Sequence, residues 1–347
     1  MSRIDLLKVA TAGPNDLGSL KLLAESGYSA DDIMAVVSKT EGNGVVNDFS
    51  RTLADVTWAD VVNDDAITVF SGGTEGVLSP HVNLIVRAEH EPEAGLPGAV
   101  VAATGSTRSI GAHELGRAPQ TEAVRSRVES LVTDLGLALG DVHLVLVKCP
   151  LLTSADIAAC KAAGQTPVTS DTIASMGRSR AASALGIALA LGECTPEQAT
   201  AALAGDAAEV YSSVASASSG AELDNCKIMV LGSSPEARGT LRAAHGVMRD
   251  AIDAETISAL LRQVRGERGE VVQVFAKAGP DPSGKVRGRR HTMLTDSDIS
   301  ATRHARAAVG GLVAGLVGDC AVYVSGGAEH QGPPGGGSLT VLYRVAG

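Results

Sequence analysis

The sequence predicts an α/β fold of three homologous units around a pseudo-threefold axis, with a central core that resembles a β-barrel. The prediction depends on three features that each occur three times in one order: a strand that ends in lysine, an arginine, and a later segment that ends in serine. The strands IMAVVSK, VHLVLVK and VVQVFAK end at Lys39, Lys148 and Lys277. Repeats of about 100 residues are too long for a solenoid, so three α/β units around an axis are favoured.

The three serine segments share a short pattern. Each serine is followed by Gly or Ser and then by Gly, and a glutamate stands four residues after the serine. The copies are residues 71–75, 218–222 and 325–329, which begin at Ser71, Ser218 and Ser325. The arginines between lysine and serine are Arg51, Arg180 and Arg306. A single lysine at a strand end is usually a solvated residue, but three in register indicate a common site.

Helical patterns separate the strands and set the expected boundaries of the units. Helices are predicted at residues 16–26, 121–137, 155–163, 178–191, 196–204, 235–250 and 299–317. Breaks are predicted near residues 91–97 and 232–235, where proline and glycine interrupt the pattern. The predicted units are therefore residues 1–90, 98–235 and 240–347.

Composition excludes several classes of function. The formal net charge is −10 and aromatic residues make up 2% of the chain. Both features argue against a nucleic-acid partner. No secretory signal is visible at the start, and the apolar run at 307–318 is shorter than a spanning helix, which needs about 20 residues. We therefore expect a cytoplasmic protein with no membrane partner. The five cysteines include no CxxC pair, which argues against disulfides and zinc.

The recurring residues have the chemistry of acyl transfer. A serine hydroxyl is a weak nucleophile until a base takes its proton, and lysine can be that base when burial and nearby cations lower its pKa. Three converging arginines would supply the cations, and glycines after each serine would expose N–H groups for an oxyanion. The glutamates could be general acids, or they could orient a lysine or a turn. A ligand with three acceptors around a ring, such as a cyclic triimide, matches this arrangement.

Several segments carry a specific resemblance to a known family. They span nearly the whole chain in the order SKTEGNGVVNDFSR (38–51), FSGGTEGVLSPH (70–81), VKCPLLT (147–153), SMGRSRAASALGIALA (175–190), ASASSGAEL (215–223), AHGVMRDAIDA (244–254), VFAKA (274–278), VRGRRHTMLTDSDISATRHARA (286–307) and YVSGGAEHQGPPGGG (323–337). In these segments the chain resembles the cyanuric acid amidohydrolase and barbiturase family.

The resemblance implies a homotetramer that hydrolyses cyanuric acid to carboxybiuret, which then loses CO₂ to give biuret. It implies that Ser218 is the nucleophile and Lys148 its base, and that Lys39 and Lys277 assist. The residues implied to bind the substrate are Arg51, Ser71, Gly72, Arg180, Ser218, Ser219, Arg306, Ser325 and Gly326.

The resemblance also implies a structural divalent cation, Mg²⁺ or Ca²⁺, near the last glycine-rich loop, and no organic cofactor. The implied ligands are Ala328, Gln331, Gly332, Pro333 and Gly336. Gly279 stands where an acidic ligand is expected after the third lysine, and a hard cation is held less firmly without that carboxylate.

Two alternatives to cyanuric acid hydrolysis stay open at this level. A barbiturase would open barbituric acid to ureidomalonate by the same chemistry on a ring with CH₂ in place of one N–H. A protein of a different class would sequester a small anion in the pocket without turnover. Assay of both substrates separates the first alternative, and detection of product separates the second.

Overall fold

The structure is a computed structural model that describes residues 3–88 and 95–346. In these ranges the helices are α1 (Ser19–Glu25), α2 (Phe49–Ala59), α3 (Ala118–Leu135), α4 (Ser154–Ala162), α5 (Thr172–Ala190), α6 (Pro196–Ala204), α7 (Ala254–Gly266) and α8 (Ala301–Val317). The strands are β1 (Ile4–Ala10), β2 (Ile33–Thr40), β3 (Ile67–Gly72), β4 (His81–Arg87), β5 (Leu96–Ser106), β6 (Val142–Pro150), β7 (Ala215–Gly220), β8 (Lys227–Gly239), β9 (Leu241–Met248), β10 (Glu270–Ala278), β11 (Lys285–Val286), β12 (Arg289–Arg290), β13 (Tyr323–Gly326) and β14 (Gly337–Arg344).

Three four-stranded sheets have the same pairing pattern. Their orders are β1-β4-β2-β3, β5-β8-β6-β7 and β9-β14-β10-β13, and β11 pairs only with β12. In each large sheet the strand that carries the lysine is parallel to the strand that carries the serine and antiparallel to its other neighbour. In the described ranges these sheets stay open, and no closed barrel is found.

The inner faces of the three sheets share one apolar cluster. Side chains alternate between the two faces of a strand, so on β6 Leu144 and Leu146 enter this cluster while Val145 and Val147 pack in another. The shared cluster also takes residues from β2 and β3 and from β10 and β13. The outer faces are covered by helices; the cluster around Val145 and Val147 includes residues of α3 and α5.

One predicted helix is wrong. Residues 235–250 form the end of β8 and all of β9, which pairs with β14 along its whole length. Leu241 and Ala243 alternate into the shared core, and Gly239 and Gly246 lower helix propensity, so sheet pairing decides this segment. The sequence prediction missed α2 and α7, whereas α6 has its predicted bounds.

The boundaries of the three units stay a prediction. The strands of the three large sheets come from residues 4–87, 96–239 and 241–344 respectively. Residues 91–94 of the predicted break lie outside the described residues. None of the described helices combines the length and apolar character needed to cross a bilayer.

Candidate active site

The three lysines face the three serines in the same register of parallel strands. The Cα partners are Lys39 with Ser71, Lys148 with Ser218, and Lys277 with Ser325. The lysines continue the inward face: Lys148, for example, follows Leu144 and Leu146 at alternate positions on β6. The period of two therefore turns all six side chains toward the centre where the sheets meet, and all six residues are buried.

The first and third pairs are closed by hydrogen bonds. Lys39 Nζ donates to Ser71 Oγ at 3.3 Å and to the Gly72 carbonyl at 3.3 Å. Lys277 Nζ donates to Ser325 Oγ at 3.0 Å and to the Gly326 carbonyl at 3.3 Å. In both pairs the amine spans the start of the serine–glycine loop and holds the hydroxyl.

The middle pair has a different arrangement. Lys148 Nζ donates to the Phe70 carbonyl at 2.6 Å and forms an ion pair with Glu222 Oε1 at 2.9 Å. Ser218 Oγ is buried and has no hydrogen-bond partner among the described residues. Ser218 is therefore the one serine of these three whose hydroxyl is left free for an incoming group.

Each arginine reaches the serine loop of another sheet. Arg306 binds both carboxylate oxygens of Glu75, at 2.6 and 2.8 Å, and Arg180 binds both oxygens of Glu329, at 2.7 and 2.8 Å. Arg51 donates instead to the carbonyl oxygen of the loop residue Ser219 at 2.8 Å. Two of the glutamates therefore orient arginines, a role that the sequence prediction did not assign.

Ser219 is held by two of the arginines. Its carbonyl accepts from Arg51, and its hydroxyl accepts from Arg180 Nη1 at 3.2 Å. Arg51 lies in α2, which begins where Asp48 accepts a hydrogen bond from the Ser50 N–H at 3.1 Å, as an N-cap residue does. The guanidinium groups of α2, α5 and α8 thus all contact the serine loops.

Two loop glycines are required by the arginines. Gly73 has φ of 100° and Gly327 φ of 78°, and both lie in the left-handed region that favours glycine. A Cβ on Gly73 would lie 2.3 Å from Arg306 Nη2, and one on Gly327 would lie 2.4 Å from Arg180 Cζ. The absence of a side chain lets each guanidinium lie directly on the loop backbone.

The electrostatics separate the middle lysine from the other two. Burial lowers the pKa of Lys39 and Lys277 well below the usual lysine value, and Arg306 and Arg180 respectively lower it further. Burial also lowers the pKa of Lys148, but Glu222 opposes this shift. The pKa of the outer lysines is therefore lowered by both burial and a nearby arginine, whereas Lys148 keeps a carboxylate partner that opposes the effect of burial.

The sequence prediction missed Tyr323. Its side chain belongs to the shared core, and its hydroxyl lies beside Ser71 and Ser218 without a well-formed hydrogen bond. Burial is the main reason that the pKa of this phenol is raised. The available signal was its position two residues before Ser325 on β13, which puts both side chains on the same inward face.

The implied cation site stays a prediction, and some of its ligand oxygens already accept hydrogen bonds. Gln331 Oε1 accepts from the Ala217 N–H at 2.5 Å, and the Ala328 and Pro333 carbonyls accept backbone N–H groups. Gly279 offers no carboxylate, and the described residues contain no cluster of three or more His, Cys, Asp or Glu suited to a metal. Calcium and magnesium bind oxygen ligands and are held less firmly where no carboxylate contributes charge, so no step is assigned to a cation.

Buried lysines opposite serines, beside glycine loops and bidentate arginines, have the chemistry that acyl transfer requires. The fold and the sequence then define the family. The chain belongs to the amidohydrolase ring-opening protein family, whose model matches residues 5–344.

Full-length relatives and solved structures agree with this assignment. The chain is 63% identical over 346 residues to a cyanuric acid amidohydrolase of Pseudonocardia dioxanivorans, with 100% of both chains covered. It is 58% identical to a cyanuric acid amidohydrolase of a Rhodococcus species, with 99% of this chain and 97% of the relative covered. The crystal structure of the cyanuric acid hydrolase from A. caulinodans superposes with a TM-score of 0.93 at 44% identity, with full coverage of both chains.

Proposed function

We propose that this protein hydrolyses cyanuric acid, opening the ring to carboxybiuret, which then loses CO₂ to give biuret. The observation that carries the proposal is the 63% identity, over the whole of both chains, to an enzyme named for this activity. The geometry supports it, because three lysine–serine pairs and three arginines surround one centre and a cyclic triimide presents three equivalent carbonyls to it.

The proposed fold is three homologous units, residues 1–90, 98–235 and 240–347, around a pseudo-threefold axis. The common strand order of the three large sheets supports this proposal. The shared apolar cluster would lie on the axis, and the lysines and serines would surround one end of it. Arg51, Arg180 and Arg306 would hold the ring, with Ser71, Gly72, Ser219, Ser325 and Gly326 completing the cradle.

The proposed nucleophile is Ser218, with Lys148 as its base. Lys148 takes the hydroxyl proton while Ser218 Oγ attacks a ring carbonyl carbon. The adjacent ring C–N bond breaks, and its nitrogen receives the proton from Lys148, which leaves a carbamate ester on Ser218. Water then attacks this ester, giving up one proton through Lys148 to Ser218 Oγ and releasing carboxybiuret. Because Ser218 Oγ is unpartnered among the described residues, it is free to attack.

Three serine variants test this assignment side by side. Ser71→Ala, Ser218→Ala and Ser325→Ala are assayed for loss of cyanuric acid and formation of biuret. We expect the largest kcat loss at Ser218, on the order of 10³-fold or more. Equal losses at all three positions would contradict a single nucleophile.

Barbituric acid is assayed in parallel, and faster turnover of barbituric acid would reverse the proposed substrate preference. Tight binding of cyanuric acid without product would instead favour an anion-binding protein.

We also propose that the protein is a cytoplasmic homotetramer. An exposed apolar row on α2 supports self-association. Phe49, Leu53 and Val56 follow helical spacing and are 78%, 46% and 66% exposed. Analytical ultracentrifugation of the wild type measures the assembly, and a monomer at micromolar concentration would contradict it.

A further inference from the structure

The ring of arginine–glutamate pairs is broken at one place. Arg306 binds Glu75 and Arg180 binds Glu329, each through two oxygens. By the same order Arg51 would bind Glu222. Instead Glu222 lies 2.9 Å from Lys148 Nζ, where the two side chains are 8% and 2% exposed.

The backbone of the middle serine loop also differs from the backbone of the other two loops. Gly73 and Gly327 have positive φ, and each has an arginine in the space that a Cβ would fill. Gly220, the equivalent glycine of the middle loop, is not among the residues with positive φ. A Cβ on Gly220 would lie 2.1 Å from Glu222 Oε2. The middle loop therefore folds around its own glutamate, and the other two fold around an arginine.

The contacts of the lysines also differ between the middle pair and the two outer pairs. Where arginine binds the glutamate, the lysine contacts its serine, as in the pairs of Lys39 and Lys277. In the middle loop no arginine binds Glu222 among the described residues. Glu222 binds Lys148 instead, and Ser218 Oγ has no hydrogen-bond partner among those residues. One chain thus contains two states of the same pair, which differ in the partner of the glutamate.

We propose that Glu222 is a positioning residue for the middle pair, which holds Lys148 and sets the pH at which this lysine can accept the Ser218 proton. The inference rests on the proposed function, because it assigns Lys148 as the base. In the outer pairs the glutamates are bound to arginines, and the nearby arginine lowers the pKa of the lysine more than the glutamate raises it.

The charge balance around Lys148 supports the assignment. After burial, Glu222 has the largest effect on the pKa of Lys148 and raises it; Arg51 lowers it, and Cys149 raises it slightly. The Nε of Arg51 is buried without a hydrogen-bond partner among the described residues. Movement of Glu222 from Lys148 to Arg51 would give the middle pair the arrangement of its neighbours and lower the pKa of Lys148.

Glu222→Gln tests the proposal, because the amide keeps the shape of the side chain and removes its charge. The pH dependence of kcat for cyanuric acid is measured for wild type and variant. Without the carboxylate the pKa of Lys148 falls, so the acid limb of the profile should move to lower pH by about 1–3 units. Glu222→Asp keeps the charge and should return the limb toward that of the wild type.

Glu75→Gln and Glu329→Gln are the matched controls. Each of these changes removes the carboxylate that binds an arginine and leaves the contact between Glu222 and Lys148 intact. Both variants should therefore raise KM and leave the acid limb of the kcat profile in place. An unshifted limb in Glu222→Gln would overturn the proposal, and so would equal shifts in all three variants. Loss of activity at every pH in folded Glu222→Gln would also overturn it, because Glu222 would then transfer a proton itself.

Two further measurements keep the outcome decisive. If Glu222→Gln does not fold, Gly220→Ala displaces the same carboxylate by crowding and should shift the limb in the same direction; an unshifted limb there would overturn the proposal. Carbon-13 NMR of the lysine Cε positions, with Lys148→Met to assign the signal, reports the pKa of Lys148 without turnover. A wild type inactive on cyanuric acid would contradict the proposed function, whereas an unchanged Lys148 titration in Glu222→Gln would contradict only this inference.

Discussion

Replacement of Gly73 by alanine isolates the contact between a serine loop and its arginine. Alanine at the positive φ of this residue must enter a conformation that costs an L residue about 1–2 kcal/mol. Its Cβ would also lie 2.3 Å from Arg306 Nη2 and 2.7 Å from Nε, so the guanidinium has to move. Both hydrogen bonds to Glu75 depend on the guanidinium staying in place.

The expected cost has two parts that a control can separate. Gly27→Ala has a similar φ of 80° with nothing within 4 Å of the new Cβ, so it carries backbone strain alone. Loss of one charge-assisted hydrogen bond to substrate, worth about 1.5–3 kcal/mol, corresponds to a KM increase of about 10- to 150-fold in Gly73→Ala. Gly27→Ala should leave KM unchanged while losing about 1–2 kcal/mol in the free energy of unfolding.

Urea unfolding and steady-state kinetics on cyanuric acid measure the two effects separately. Gly73→Ala should lose more stability than Gly27→Ala and should alone raise KM. If both variants had the KM of the wild type, Arg306 would not hold the substrate through this loop. If Gly73→Ala were as stable as the wild type, neither the strain nor the crowding would be real.

Three further predictions concern stability. Burial lowers the pKa of His81 and of His143 from 6.5 to about 4. The unfolded chain therefore binds more protons in this window, and the free energy of unfolding should fall as the pH falls from about 6.5 to about 4; urea titrations that give a constant value across it would contradict this. Gln331→Ala removes the acceptor of the Ala217 N–H and should cost about 1–3 kcal/mol in urea unfolding. EDTA should leave the wild-type midpoint unchanged, and a fall in that midpoint would reveal a bound cation.

The inward direction of the site residues could be read from the sequence. Each lysine lies at the end of a strand rich in apolar residues. On β6 the residues two and four positions before Lys148 are the core residues Leu146 and Leu144, so the lysine must share their face. Ser71 follows the core residues Val69 and Ile67 in the same way, and the three lysine–serine pairs face each other across parallel strands. The arginines were also predictable, because one occurs between each lysine and its serine.

The glutamates were not predictable in the same way. Glu75, Glu222 and Glu329 have the same offset from their serines, yet two bind arginines and one binds a lysine. The helix expected at residues 235–250 failed for a related reason. The alanine-rich segment is compatible with both the helical period and the strand period. Its secondary structure depends on whether a partner strand, here β14, is adjacent in space.

The sequence by itself determined the α/β class, the family and the recurring order of lysine, arginine and serine. These depend on local period and on order along the chain, which the residues carry directly. Only the tertiary structure decided which hydrogen bonds those side chains form. Among the residues that the structure describes, Ser218 Oγ has no hydrogen-bond partner and Lys148 is bound to Glu222, because loops from different sheets compete for the same few charged partners. That competition depends on differences in distance of about an ångström, to which the strength of a hydrogen bond is sensitive and which a repeated motif does not encode.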